Sequence, residues 1–285
     1  MFTRRKFVRT MAASAAGLYA ANALMACKGL TENKLNNIGY ISGILGRNLA
    51  EKDWKSMLRA TSEYGYSEIE IGNYLGDSAN TFLSFCNEIG IKPIAGGMGM
   101  TDEADTLKQS IDKLKALELQ YAVVYWPWFV GSPFKLEDCK RSVEALNNMG
   151  EECKKNDLTL CWHNHDHEFV AMENNVTPFD YLMEHTDKEL VKCELDIYWT
   201  KKGGADPVET LQKYPGRYPI LHVKDMAPGE EQDFACPGDG IIDWQQVFAE
   251  SLKQGINHYF VEKDNAVDGL GCLRSAAVYL KELRV

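Results

Sequence analysis

The stretch LEDCKRSVEALNNMGEECKKNDLTLCWHNH, Leu136 to His165, decides the fold. In its first part Cys139, Val143, Leu146 and Cys153 recur three, four or seven residues apart, which is one face of an amphipathic helix, and Asn156 stands where a helix C-cap belongs. Leu158 to Trp162 then form an apolar run of strand length that turns polar only at its end, with His163, Asn164 and His165. A helix feeding a strand whose interior is apolar throughout is half of a β/α unit in a parallel sheet, where both strand faces are buried.

The same unit repeats outward in both directions. Strand-length runs begin at Ile38 (IGYISG), Glu68 (EIEIGNY), Lys92 (KPIAGGM), Tyr121 (YAVVYWPW), Leu158 (LTLCWHNH), Val191 (VKCELDIYW), Pro219 (PILHVKDM) and His258 (HYFVEKD). Between them lie helical patterns such as EKDWKSMLRATSEYG, TLKQSIDKLKALELQ and DWQQVFAESLKQG, and LGCLRSAAVYLKELRV follows the last strand. Eight strand–helix units in about 250 residues predict an α/β protein with one (β/α)8 TIM barrel domain over residues 38–285. The rival is a doubly wound open sheet. It lacks the GxGxxG after the first strand, and the glycines of AGGMGM follow the third without that spacing. A barrel places chemistry at the C-terminal ends of the strands.

Residues 1–27 read as an address. TRRKFVR (Thr3–Arg9) is a twin-arginine pattern, an alanine-rich run follows, and LMAC ends at Cys27 in a lipoprotein-type cleavage site. Residues 28–37 (KGLTENKLNN) form a polar linker. The expectation is export, to the periplasm or to a membrane surface with a lipid on Cys27 as tether. The chain carries a formal charge of −10, and removing the four basic residues of the first 26 takes it to −14, which argues against nucleic acid as a partner. The other seven cysteines show no CxxC pair or zinc-finger spacing, so they are expected to be buried thiols rather than a disulfide framework. A homo-oligomer is compatible with the sequence.

Polar residues gather at the ends of strands five to eight. His163, His165 and His167 alternate, so in an extended segment their rings share one face, each about 6.6–7 Å further toward the mouth. Asp196, His222 and Glu262 each follow apolar strand residues at the same relative depth, and such carboxylate and imidazole groups converging from adjacent strands make a site for a divalent ion. Taken singly, Asp196 as a turn cap, His222 as a core histidine and Glu262 paired with Lys224 are equally good readings. Lys224 shares the inward face of His222, where it would steady an enolate oxygen, or act as a base if its pKa were depressed. Glu70 and Glu168 are further carboxylates for sugar hydroxyls or protons. Tyr125, Trp126 and Trp199 suit the C–H face of a sugar ring, whereas Trp128 reads better as part of an aromatic layer under the helices.

Together WHNHDHEF, ELDIYW, LHVKD, GDGIIDW and VEKD resemble the xylose-isomerase-like barrel superfamily of sugar phosphate isomerases and epimerases, with inosose dehydratase and apurinic endonucleases as cousins. The resemblance covers Ile38 to Val285. It implies that Asp196, His222 and Glu262 bind a divalent ion of the manganese, cobalt, zinc or magnesium type. The family's fourth ligand is a strand-five glutamate, which is missing here. The matching place is Cys161 or the histidines beyond it: His165 on the metal with His163 on substrate, or the reverse. A cysteine ligand would favour a softer ion.

The expected reaction removes a proton α to a sugar carbonyl, with His163, Lys224 or Glu262 as base, to give an enediolate. Reprotonation makes an isomerase or epimerase; loss of a β-substituent makes a lyase, or in reverse a hydratase, acting on a 3-keto-glycoside. Acidic Glu230, Glu231, Asp233 and Asp239 between strands seven and eight argue for an unphosphorylated sugar. The contrasting expectations are a non-catalytic sugar-binding lipoprotein and a nuclease, and the charge balance argues against the latter.

Overall fold

The helix and strand that opened the sequence reading form Leu136–Lys155 and Thr159–His163 in the computed structural model. The structure describes residues 35, 37–46, 53–72, 78–131 and 135–285. The export segment, Cys27 and nearly all of the linker lie outside these residues. Leu35–Leu283 form one compact unit.

In chain order the strands are β1 (Ile38–Ile41), β2 (Glu68–Ile71), β3 (Lys92–Met98), β4 (Tyr121–Val124), β5 (Thr159–His163), β6 (Val191–Asp196), β7 (Ile220–Val223), β8 (Asp225–Met226), β9 (Phe234–Ala235) and β10 (His258–Val261). Strands β1 to β7 and β10 close a parallel barrel in which β10 lies between β7 and β1. The short β8 and β9 pair antiparallel outside it. The helices are α1 (Trp54–Tyr64), α2 (Ala79–Ile89), α3 (Ala104–Ala116), α4 (Leu136–Lys155), α5 (Pro178–His185), α6 (Ile197–Lys202), α7 (Pro207–Lys213), α8 (Trp244–Lys253) and α9 (Gly269–Glu282). All eight strand expectations therefore hold, and the protein is a (β/α)8 barrel.

Local chemistry explains the punctuation. Asp53 and Ser78 accept from Ser56 N and Thr81 N to cap α1 and α2, and both helices stop at a left-handed glycine, Gly65 and Gly90. Gly96 and Gly97 of AGGMGM are places of close packing. A Cβ on Gly97 would stand 2.5 Å from the Tyr125 ring, so its absence lets that ring enter the barrel.

The barrel interior is layered. Glu68 and His258, joined at 2.8 Å, lie near the N-terminal end of their strands. Above them Ile94, Ala95, Val123, Cys161, Ile220 and Phe260 fill an apolar layer. Cys161 therefore packs among hydrocarbon, where burial pushes its thiol well up and favours the neutral form. It stands below the polar layer, not in it.

The expectation that the cysteines are all thiols is corrected by the fold. Cys86, Cys139, Cys153, Cys161 and Cys193 are free and buried, but Cys236 and Cys272 form a disulfide with Cα atoms 5.6 Å apart. These two are 36 residues apart in sequence. The return of α9 past the segment after β9 brings them together, so no spacing pattern announces the pair.

Candidate active site

The polar layer above Cys161 is set by register. His163 on β5 pairs with Glu194 on β6, and Asp196 pairs with His222 on β7. Asp196 and His222 thus share one depth, as expected. Glu262 does not: His222 is in register with Phe260, so Glu262 lies two residues further along and its longer side chain reaches back. His163, Glu194, Asp196, His222, Lys224 and Glu70 are all buried.

Histidine and carboxylate groups interlock. His163 Nδ1 is 3.1 Å from Glu194 Oε2, and His163 Nε2 is 3.9 Å from Asp196 Oδ2. His222 Nε2 lies 2.9 Å from Glu70 and 3.3 Å from Glu194, while its Nδ1 lies 2.9 Å from Glu262 Oε2 and 3.9 Å from Asp196 Oδ2. Lys224 Nζ donates to Asp264 and is 3.4 Å from Glu262 and 3.7 Å from Asp196.

The turn-cap reading of Asp196 holds for one oxygen, and the other is left for a different partner. Oδ1 accepts from Trp199 N at 2.8 Å and caps α6. Oδ2 is buried without a hydrogen-bond partner, as are Glu194 Oε1 and His165 Nδ1. Buried polar atoms are seldom left without a hydrogen bond, and Asp196 Oδ2 lies 3.7 Å from Lys224 Nζ and 3.9 Å from both His163 Nε2 and His222 Nδ1. Ligand atoms of His163, Asp196 and His222 lie within 4.8 Å of one another, a donor set that fits a divalent ion. Ligand atoms of Glu70, Glu194 and His222 form a second group of the same tightness.

The electrostatics show how strongly carboxylates outnumber cations here. Burial pulls the His222 imidazole down, but Glu194 and Glu70 outweigh it and hold it well above its ordinary value. Burial, then the neighbouring Glu70, pushes Glu194 well up. Burial raises Asp196 to about 7 against the pull of Lys224. Burial also opposes the charge on Glu262, yet Lys224 and His222 hold that carboxyl well below the usual range. Burial lowers His163 well below and His165 to about 4, so both rings are neutral. Lys224 is raised despite burial because Glu262, Asp196 and Asp264 surround it, which makes it a charged donor rather than the depressed-pKa base that the sequence allowed.

A cavity of about 210 Å³ opens above this layer, lined by Ile41, Tyr125, His163, His165, Trp199, His222, Lys224, Glu262 and Asp264. A larger one of about 650 Å³ lies on the flank against α3 and α4, remote from the strand ends, and contains none of these groups. The barrel mouth is the chemical site, because there the polar groups converge.

The other sequence candidates divide between the two sides of the cavity wall. Tyr125 lines it and donates to Glu70, so Glu70 is engaged by Tyr125 and His222. Trp199 lines it with its ring centroid 5.3 Å from that of His165, and Trp126, partly exposed, continues the aromatic wall at 5.4 Å from His165. Glu168 is turned into the protein. Its oxygens accept from Trp128 Nε1 and His165 N, each at 2.6 Å, and burial, against these bonds, raises it to about 7. His167 falls in a short 3-10 turn, half-exposed, as the loop reading expected. Glu194, buried in this layer, is a residue to which the sequence assigns no role. The available signal was a glutamate inside an apolar parallel strand, two residues before Asp196 on the same face.

This barrel with a polar mouth defines the class of protein, and comparison with known proteins makes it specific. The profile of the Xylose isomerase-like TIM barrel family matches residues 58–276, and the chain belongs to that family. It is an enzyme of that fold. It is 25% identical over 251 residues to inosose dehydratase of Geobacillus kaustophilus, covering 74% of this chain and 80% of that protein. With inosose dehydratase of Clostridium tetani it shares 30% over 160 residues, 49% of this chain and 53% of the relative. A sugar phosphate isomerase/epimerase of Parabacteroides distasonis superposes with TM-score 0.73 at 21% identity, covering 88% and 97% of the two chains. A 3-keto-D-glucoside 4-epimerase of E. coli superposes with TM-score 0.66 at 15% identity, covering 87% and 100%. These two structural likenesses show a shared fold.

Proposed function

We propose that the protein is a divalent-metal-dependent enzyme that removes a proton α to the carbonyl of an unphosphorylated keto-sugar. The observation that carries this is the convergence of His163, Asp196 and His222, with an Asp196 oxygen that no hydrogen bond engages, beneath a cavity walled by Lys224, Glu262 and aromatic rings. His163, Asp196 and His222 would hold the ion with Glu262 beside them. This takes the second of the two strand-five assignments and leaves His165 to the substrate. The ion, when bound, supplies Lewis-acid polarisation of a carbonyl oxygen.

The protein's own groups then have definite tasks. Lys224, held charged by three carboxylates, donates to the oxygen on which negative charge develops. Glu262, ionised and facing the cavity, takes the proton. His165, neutral and with Nδ1 unpartnered, faces the same space from the wall that Trp199 backs and exchanges a second proton. Trp199 and Tyr125 orient the ring. Return of the proton gives isomerisation or epimerisation. The dehydratase relatives favour a second reading on the same groups, in which a β-hydroxyl leaves, as in a 3-keto-glycoside lyase or hydratase.

Metal analysis of the purified protein, followed by solvent deuterium exchange into keto-sugars, tests this. Asp196→Ala and His222→Ala should each remove the bound ion and the exchange. Undiminished exchange after complete chelation would sink the mechanism. The twin-arginine segment supports export, with a lipid on Cys27 as tether, and the Cys236–Cys272 disulfide agrees with an oxidising compartment. Unaltered translocation after Arg4 and Arg5 are both changed to Lys would exclude that route.

A further inference from the structure

Each of the two histidines beside Asp196 has its far nitrogen turned to a carboxylate. A neutral imidazole has a single N–H, and the nitrogen that donates it leaves the other with a free lone pair. For His222 the nearest deep acceptor of Nε2–H is Glu70 at 2.9 Å, nearer than Glu194 at 3.3 Å. Glu194 Oε2 then serves His163 Nδ1 at 3.1 Å, and His163 Nε2 is left facing Asp196 Oδ2. The barrel enforces this arrangement, because Glu194 and His163 are register partners on neighbouring strands and both are buried.

We propose that Glu194 is the positioning residue that makes His163 the strand-five ligand. By accepting from Nδ1–H it fixes the tautomer with a lone pair on Nε2 and holds the ring at that angle. Without it the ring is free to carry its proton on Nε2, directed at the place of the ion. The inference rests on the divalent-ion reading given above, and it assigns the missing strand-five glutamate to a histidine–carboxylate pair instead of a single ligand.

The test is calorimetric titration of Mn2+ into the chelator-stripped full chain. Glu194→Gln keeps the volume but can turn its NH2 to Nδ1, which favours the tautomer with the proton on Nε2, and should weaken binding about 10- to 100-fold, the usual loss for an outer-shell partner. His163→Ala should lose at least as much, whereas His165→Ala should stay within about threefold of wild type. Adding Glu194→Gln to His163→Ala should cost less than about threefold more, because the two act through one ligand. Equal losses in both backgrounds would mark a merely structural role and overturn the proposal, as would wild-type affinity in Glu194→Gln. If Glu194→Gln does not fold, Glu194→Asp, which draws the acceptor back by one methylene, should bind with intermediate affinity, and wild-type affinity there would overturn it equally. A wild-type chain that takes up no ion would instead sink the functional reading, and this inference with it.

Discussion

Changing Asp225 to asparagine should destabilise the barrel more than any nearby surface change, although the two side chains have the same shape. Asp225 is buried, and its carboxylate accepts four hydrogen bonds. Oδ1 takes Met226 N at 2.8 Å and Ile242 N at 3.1 Å; Oδ2 takes Gly238 N at 3.0 Å and Trp244 Nε1 at 2.9 Å. Asparagine has one acceptor oxygen. In either flip its NH2 meets two donors, so two charge-assisted bonds are lost at about 1.5–3 kcal/mol each, or roughly 3–6 kcal/mol in all. For a barrel of this size that is a fall in melting temperature on the order of 10 °C. The bonds organise the loop after β8, whose Phe234 packs on Tyr198 and Trp199 with ring centroids 4.9 and 5.6 Å away. Lys224 Nζ lies 5.0 Å from the same ring, so the cavity wall should loosen with the fold. Equilibrium urea unfolding under oxidising conditions measures the effect. A loss below about 1 kcal/mol would refute the reasoning, since at least one buried donor would then have found another partner.

Other outcomes follow from the same contacts. Glu168, raised from 4.5 to about 7 by burial, keeps a proton in the folded chain that the unfolded chain releases across that window. Stability should therefore fall as pH rises from about 4.5 to 7, by on the order of 3 kcal/mol, and level off above. Unfolding at pH 5 and pH 8 should show this slope in wild type and lose it in Glu168→Gln; identical slopes would remove the group from the account. The same variant leaves one of two donors, Trp128 Nε1 or His165 N, without an acceptor, and should be less stable than wild type at pH 4.5 by about 1–3 kcal/mol, a deficit that closes by pH 8. Opening the Cys236–Cys272 bond by Cys236→Ser with Cys272→Ser releases a constraint across 36 residues, worth about 4 kcal/mol by chain entropy. Denaturant midpoints that coincide for wild type and the double variant would show that the bond does not constrain the chain.

The carboxylate excess at the mouth also bears on the choice of substrate. The loop after β8 carries Glu230, Glu231, Asp233 and Asp239, and Asp264 stands with Lys224 at the cavity wall. Lys224 is engaged by three carboxylates, so it is poorly placed to serve a phosphate group. A neutral sugar presents hydroxyls and C–H faces, which the carboxylates and the Trp199 and Tyr125 rings can receive.

Periodicity identified the eight strands, because alternation of apolar runs with three-and-four spacing is a local consequence of how strands and helices bury a face, and their number with the missing GxGxxG selected the closed α/β class over the open sheet. Asp196, His222 and Glu262 stood out for an equally local reason, being polar residues at the ends of apolar strands. Register and closure decided the rest. Only the pairing of β5 with β6 sets Glu194 against His163, and only the closed barrel brings Glu70 to His222 across 152 residues of sequence. The same tertiary packing buried Glu168, joined Cys236 to Cys272, and gave each nitrogen of His163 and His222 a particular carboxylate to face. Those contacts depend on which side chains meet across strands, and no spacing along a single strand encodes that.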